Sequence, residues 1–218
     1  MTTKTYGQYC GVARALELVG ERWALLIVRD LLVGPKRYTD LRSGLPKIPT
    51  NVLATRLKEL ESAGLVERNV QPRPSGAIVY ELTPYGLDLE PVVLALGRWG
   101  ARSLGELRPG EIATADSLVM ALRSTYHPPR RGTGKLAYEL RFGDIVVHAL
   151  CSGPTLTAAS GPFPEPAPAN VVVVEAMAPL TPLLTGAIDG AKARADGIVG
   201  KQASAADLDV FATIFQIN

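Results

Sequence analysis

The chain has 218 residues, 47% of them hydrophobic, with 23 Lys/Arg against 21 Asp/Glu and two cysteines. That length suits one large or two small packed domains, and so few cysteines exclude a disulfide-stapled framework. No apolar run is long enough to span a membrane, and the first residues, MTTKTYGQY, lack the apolar segment of a signal peptide, so a cytoplasmic protein with no membrane partner is expected.

The formal charge of +2 becomes informative when the chain is divided. Residues 1–110 carry 15 Lys/Arg and 11 Asp/Glu, a net of +4; residues 111–218 carry 8 and 10, a net of −2. A modest basic excess in the first half suits a polyanionic partner.

In chain order, residues 9–19 read as a helix with Val12, Ala15, Leu16 and Val19 on one face. Cys10 stands at its start, where the helix terminus lowers a thiol's pKa and Arg14, one turn on, is expected to add to the effect. The plainer reading is a small half-buried residue without chemistry. Cys151 is far away in sequence and no CxxC pair exists. Residues 23–32, WALLIVRDLL, form a central apolar helix with Trp23 in the core, broken by Gly34-Pro35. Lys36 and Arg37 follow, placed beside the next helix and suited to phosphate.

A short helix begins at Tyr38, with Leu41 and Leu45 inward, and residues 44–49 make a tight connection. Leu53, Leu57 and Leu60 then recur at helical spacing, which turns Asn51, Thr55 and Lys58 to the opposite side. Thr50 is expected to cap this helix and Gly64 to end it in the left-handed conformation. An amide and an ammonium near a helix start suit a major groove: Asn reads adenine bidentately and Lys holds phosphate. Arg56, on the flank, is as well suited to an ion pair inside the domain. Two β-prone runs, residues 65–70 and 78–82, enclose the turn QPRPSG and form a wing from which Arg68 and Arg73 can reach phosphate or the minor groove. Thr83-Pro84 starts a further apolar helical stretch, which Pro91 should kink or split.

Residues 8–103 resemble the HxlR family of winged-helix regulators. The resemblance is carried by CGVARALELVGERWALLIVRDLLVGPKRYTDLR, LPKIPTNVLATRLKELESAGLVER and VYELTPYGLDLEPVVLALGRWG. It implies a homodimer, joined through terminal helices, on double-stranded operator DNA. The implied DNA contacts are Lys36, Arg37, Thr50, Asn51, Thr55, Lys58, Arg68 and Arg73. Some members sense oxidants with a cysteine at the place of Cys10.

Residues 105–114 read as a linker, which sets a boundary near Pro109 between domains 1–109 and 110–218. The second half reads as a helix over 116–126, a hairpin over 136–150, a third strand over 155–159 and a proline-rich loop over 161–170. A valine strand over 171–175, short helices, a short strand at 198–199 and a closing helix over 205–217 follow. This half, from about residue 112, resembles the sterol-carrier-protein-like lipid-binding fold through YELRFGDIVVHALCSG, VVVVEAMAPLTPLLTGAIDGAKARADGIVGK and ADLDVFATIF, although Lys201 replaces the usual acidic residue. The resemblance implies a small apolar effector in a cavity lined by Leu140, Phe142, Val147, Leu150, Leu183, Phe211 and Phe215; for each, ordinary core is the plain alternative. His148 is expected to be a satisfied core group.

The fold class is α+β: an N-terminal winged helix-turn-helix domain and a C-terminal sterol-carrier-protein-like sandwich. No Ser/His/Asp set, metal-ligand cluster, GxGxxG or P-loop occurs, so no enzyme, cofactor or metal is expected. The expected function is a DNA-binding regulator with an apolar effector. Two alternatives stand: a C-terminal half serving only as a structural or dimerisation module, and a redox sensor acting through Cys10.

Overall fold

A computed structural model describes residues 5–72, 74, 76–129 and 134–217. Arg73, one of the two expected wing arginines, lies outside the described residues. The chain divides into two compact units, residues 1–93 and 94–218, a division upstream of Pro109.

The first unit runs α1 (Gly11–Val19), α2 (Ala24–Val33), α3 (Tyr38–Gly44), α4 (Thr50–Ser62), β1 (Val66–Val70), β2 (Ile78–Leu82) and α5 (Pro84–Leu87). Helix α6 (Glu90–Ala101) begins in this unit and ends in the next. Its core gathers Ile27, Val28 and Leu31 of α2, Leu41 of α3, and Leu53, Leu57 and Leu60 of α4, all buried. Each such side chain contributes about 1.5–3 kcal/mol on leaving water. Gly64, at φ 70°, ends α4 as expected, and Leu65 N–H reaches back to Leu60 C=O at 3.0 Å. Thr83 Oγ1 accepts from Gly86 N–H at 3.1 Å and caps α5, and Pro91 stands in the first turn of the separate helix α6.

Three local expectations are corrected. Thr50 does not cap α4: Pro49 holds the cap position, its carbonyl accepts Leu53 N–H at 3.0 Å, and Thr50 is the first helical residue. On α1 the buried residues are Ala13 and Val19, whereas Val12 is 69% exposed and Leu16 45% exposed, so much of its apolar stripe is uncovered. Trp23 is half-buried at φ 81°, with the Arg22 guanidinium 5.2 Å from its ring.

The second unit contains the rest of α6, α7 (Ala115–Thr125), β3 (Leu136–Phe142), β4 (Ile145–Ser152), β5 (Thr155–Ser160) and β6 (Val171–Ala176). It ends with α8 (Thr181–Leu184), α9 (Gly190–Ala195) and α10 (Ala205–Ile214). The sheet order is β5-β4-β3-β6, with β6 parallel to β3 and the other pairs antiparallel. Residues 161–170 therefore connect one edge of the sheet to the other. Val199 bridges Ala176, so residues 198–199 add a short pairing beside β6.

Strand alternation puts Tyr138, Leu140, Val147 and Ala149 on one face. Tyr138 meets Phe211 and Phe215 of the α10 segment at ring-centroid distances of 5.2 and 5.9 Å, and the two phenylalanines lie 4.9 Å apart. Leu140, Val147, Leu183, Phe211 and Phe215 are all buried, and Phe142 is half-buried. Leu150 is corrected: it pairs with Ala137, three residues from Val147, and lies on the opposite face. An odd separation along a strand reverses the side-chain direction. On that opposite face His148 Nδ1 lies 2.9 Å from Gly161 C=O, and its ring lies 4.6 Å from that of Phe163.

The aromatic cluster is the packing centre of this unit. Phe211→Ala is expected to cost about 3–5 kcal/mol of stability, measured by chemical denaturation. A loss well under that range would mean the cluster is not a close-packed core.

Candidate nucleic-acid interface

Two backbone devices set the position of the first helix-turn-helix element. Lys36 N–H donates to Tyr80 C=O at 3.0 Å and Tyr80 N–H to Lys36 C=O at 2.8 Å. This bridge adds one residue of a third strand to the β1–β2 hairpin. It fixes the chain immediately before α3, where Arg37 N–H donates to Asp40 Oδ2 at 3.0 Å. Lys36 is half-buried and Arg37 exposed, so the two cations flank the start of α3 as expected.

The turn between α3 and α4 buries Leu45 and Ile48 and exposes Lys47. Tyr38 Oη donates to Thr50 C=O at 2.8 Å, which ties the first residue of α3 to the first residue of α4. In the middle of α4, Arg56 Nη2 lies 3.2 Å from Glu21 Oε2, and Arg56 also pairs with Glu59. The flank position of Arg56 thus resolves as an ion pair inside the unit.

With Leu53, Leu57 and Leu60 buried, Asn51, Thr55 and Lys58 are exposed on the other side of α4, and Thr50 is exposed at its first residue, nearer the leucine stripe. Thr55 Oγ1 donates to Asn51 C=O at 2.9 Å, which spends its proton on the backbone and leaves its methyl group outward. Such a surface offers an amide that both donates and accepts, an apolar methyl and an ammonium. Arg68, on β1 opposite Tyr80, is exposed as well. The structure therefore gathers three of the expected residues, Asn51, Thr55 and Lys58, on one helix surface, with Thr50 at the helix start. Lys36 and Arg37 stand at the start of α3 and Arg68 stands on the hairpin.

Sequence reading missed the Tyr38 hydroxyl, the Lys36–Tyr80 bridge and the Glu21 partner of Arg56. No periodicity signals such tertiary pairings; only the phenol placed directly at a helix start hinted at the first.

Cys10 is exposed at the start of α1, and the backbone N–H groups of Ala13 and then Val12 at that helix start hold its thiol below the ordinary range. Arg14 does not contribute as expected, because its guanidinium pairs with Glu17 at 2.6 Å. Cys151 is the opposite case: it is fully buried, and desolvation pushes its thiol up to about 12.

Residues 18–107 match the HxlR-like helix-turn-helix family. The HTH-type transcriptional regulator YodB of Bacillus subtilis strain 168 is 40% identical over 85 residues, spanning 39% of this chain and 76% of that protein. The HTH-type regulator YtcD of the same organism is 33% identical over 109 residues, 50% of this chain and 86% of its own length. The solved structure of the redox regulator HypR in its oxidised form is 32% identical, covers 44% of this chain and 99% of HypR, and superposes with a TM-score of 0.41. With YodB and YtcD more than 30% identical and each spanned over more than two thirds of its length, the chain belongs to the HxlR-like helix-turn-helix family of transcriptional regulators.

Proposed function

We propose that the chain binds operator DNA as a homodimer, with the exposed surface of α4 in the major groove. The observation that carries this reading is the opposition on α4 between three buried leucines and the exposed Asn51, Thr55 and Lys58. Asn51 serves as the base-reading residue, the Thr55 methyl as a thymine contact and Lys58 as a phosphate contact. Lys36 and Arg37 hold phosphate at the start of α3, and Arg68 does so from the hairpin.

Dimerisation is supported by α6. Val92, Leu96 and Trp99 recur on one side of it and are 49%, 45% and 72% exposed. Asp88 and Glu90 stand at its start, and Arg98 and Arg102 near its end. An antiparallel pairing of two copies covers the apolar seam and sets acidic ends against basic ends. Twofold pairing then presents two recognition helices to two half-sites.

For the C-terminal half, a sterol-carrier-protein-like site for a small apolar effector competes with a purely structural module. The close packing of Tyr138, Phe211 and Phe215 supports the module. A second functional reading, redox sensing through Cys10, is favoured by the exposure of that thiol and its depressed pKa.

Duplexes selected by the protein from a random library test the first reading. Asn51→Ala is expected to cost about 1–3 kcal/mol and relax preference at one base pair per half-site. Lys58→Ala should weaken binding to all duplexes and reduce the slope of log K against log salt by about 1. Binding that is indifferent to both substitutions would overturn the assignment of α4.

The thiols make a separate test. Lowering a pKa enlarges the thiolate fraction near neutrality, and raising it abolishes that fraction. Brief treatment with iodoacetamide near neutral pH should therefore label Cys10 and spare Cys151 until the protein unfolds, as read by peptide mass spectrometry. If the labelled Cys10 adduct keeps full affinity for the selected duplex, redox sensing through this residue is excluded.

A further inference from the structure

The last turns of α6 belong to the second unit, where they meet the end of α7 at one unusually close approach. A Cβ added to Gly97 would lie 3.2 Å from Ser124 Cβ and 3.4 Å from Ser124 Oγ. Glycine is thus what lets the two helices touch here. One residue on, Arg98 Nε donates to Ser124 C=O at 2.9 Å. That carbonyl lies in the last turn of α7, where helix carbonyls have lost their in-helix partners. Ser124 is buried, as is Ala101 one turn beyond Gly97.

The receiving end of this joint is itself held firmly. Thr125 C=O accepts Gln216 N–H at 3.0 Å, and His127 N–H donates to Ile214 C=O at 2.7 Å, which ties the end of α7 to the end of α10. The Tyr126 ring lies 5.9 Å from Phe215, a member of the aromatic core. An unbroken series of packed or hydrogen-bonded groups therefore runs from that core through residues 124–127 to Gly97 and Arg98. On α6 those two residues lie between Leu96 and Trp99, which belong to the exposed seam.

We propose that Gly97, Arg98 and Ser124 are positioning residues through which the C-terminal unit sets the orientation of α6, and so the strength of self-association. This rests on the reading that α6 pairs two copies of the chain. It gives the C-terminal unit a role that requires no ligand: it acts as a brace on the dimer helix. Rigid packing suits such a role, since close-packed interiors transmit displacement instead of absorbing it.

The test uses the full chain and measures self-association by sedimentation equilibrium, with circular dichroism reporting the fold. Gly97→Ala makes Ser124 give way by a few tenths of an ångström and should weaken self-association by about tenfold, within the usual range of coupling between sites. Ser124→Gly in the same molecule vacates the space and should restore most of the loss, which a general loss of stability would not do. Arg98→Lys keeps the charge but not the planar donor that reaches Ser124, and should weaken self-association without Gly97 being touched. A wild-type chain that stays monomeric overturns the proposal. So do folded Gly97→Ala and Arg98→Lys variants that associate like the wild type; should one of them fail to fold, the other decides alone. Affinity for the library-selected duplex separates this inference from the DNA-binding reading. If joint variants change self-association while the wild type selects no duplex, the DNA-binding reading fails and the joint stands. A wild type that binds duplex, with variants unaltered in both measurements, sinks the joint alone.

Discussion

Burial of Leu53, Leu57 and Leu60 leaves α4 no freedom in where it points Asn51, Thr55 and Lys58. Rolling the helix by one position, about 100°, would bring leucines into water and lysine into the core. At about 1.5–3 kcal/mol for each leucine, before the cost of desolvating an ammonium, that rotation is closed to the folded chain. The polar surface is therefore a consequence of core packing. It is also made of groups that suit base edges and phosphates.

The remaining contacts of the first unit refine this placement. Tyr38 sets the separation of the two helix starts, Lys36 locks the chain ahead of α3 to the hairpin, and Arg56 ties the middle of α4 to Glu21 just beyond α1. Each is modest alone, since a single hydrogen bond contributes about 0.5–1.5 kcal/mol net. Together they join α1, α3, α4 and the hairpin into one body. A change at α1, which carries both Cys10 and uncovered apolar residues, thus has a short physical route to α4. In the second unit, the last turns of α6 are held against the end of α7 at Gly97 and Arg98.

What was legible in the amino-acid sequence was whatever repeats locally. The α4 stripe, the left-handed Gly64, the Thr83-Pro84 start and the strands of the second unit all follow from periodicity or turn chemistry, and the structure has them at nearly the expected places. Capping by Thr50 failed because Pro49 already supplies the extended residue before the helix. The inward face of α1 was misjudged because apolar character alone does not say whether a partner covers it; Val12 and Leu16 are uncovered within a single copy. Leu150 departs from the expected lining because it pairs with Ala137, an odd three residues from Val147, and so faces the other side of the sheet. The effector cavity is implied by the resemblance alone, since apolar residues on sheet and helix suit a cavity and a core equally. Composition does not distinguish a lined space from a filled one. The hydroxyl of Tyr38 and the joint at Ser124 depend on chain segments far apart in sequence, and no local pattern announces them.

The central claim is that α4 occupies a major groove, in two copies related by twofold symmetry. Methylation interference on a duplex selected by the protein measures this directly, because guanine N7 lies in the major groove and adenine N3 in the minor groove. The account predicts two patches of N7 interference, with centres separated by about 34–36 Å along the helix axis, one turn or a multiple of it. Interference confined to adenine N3, or none at all on a duplex that is bound, would contradict it.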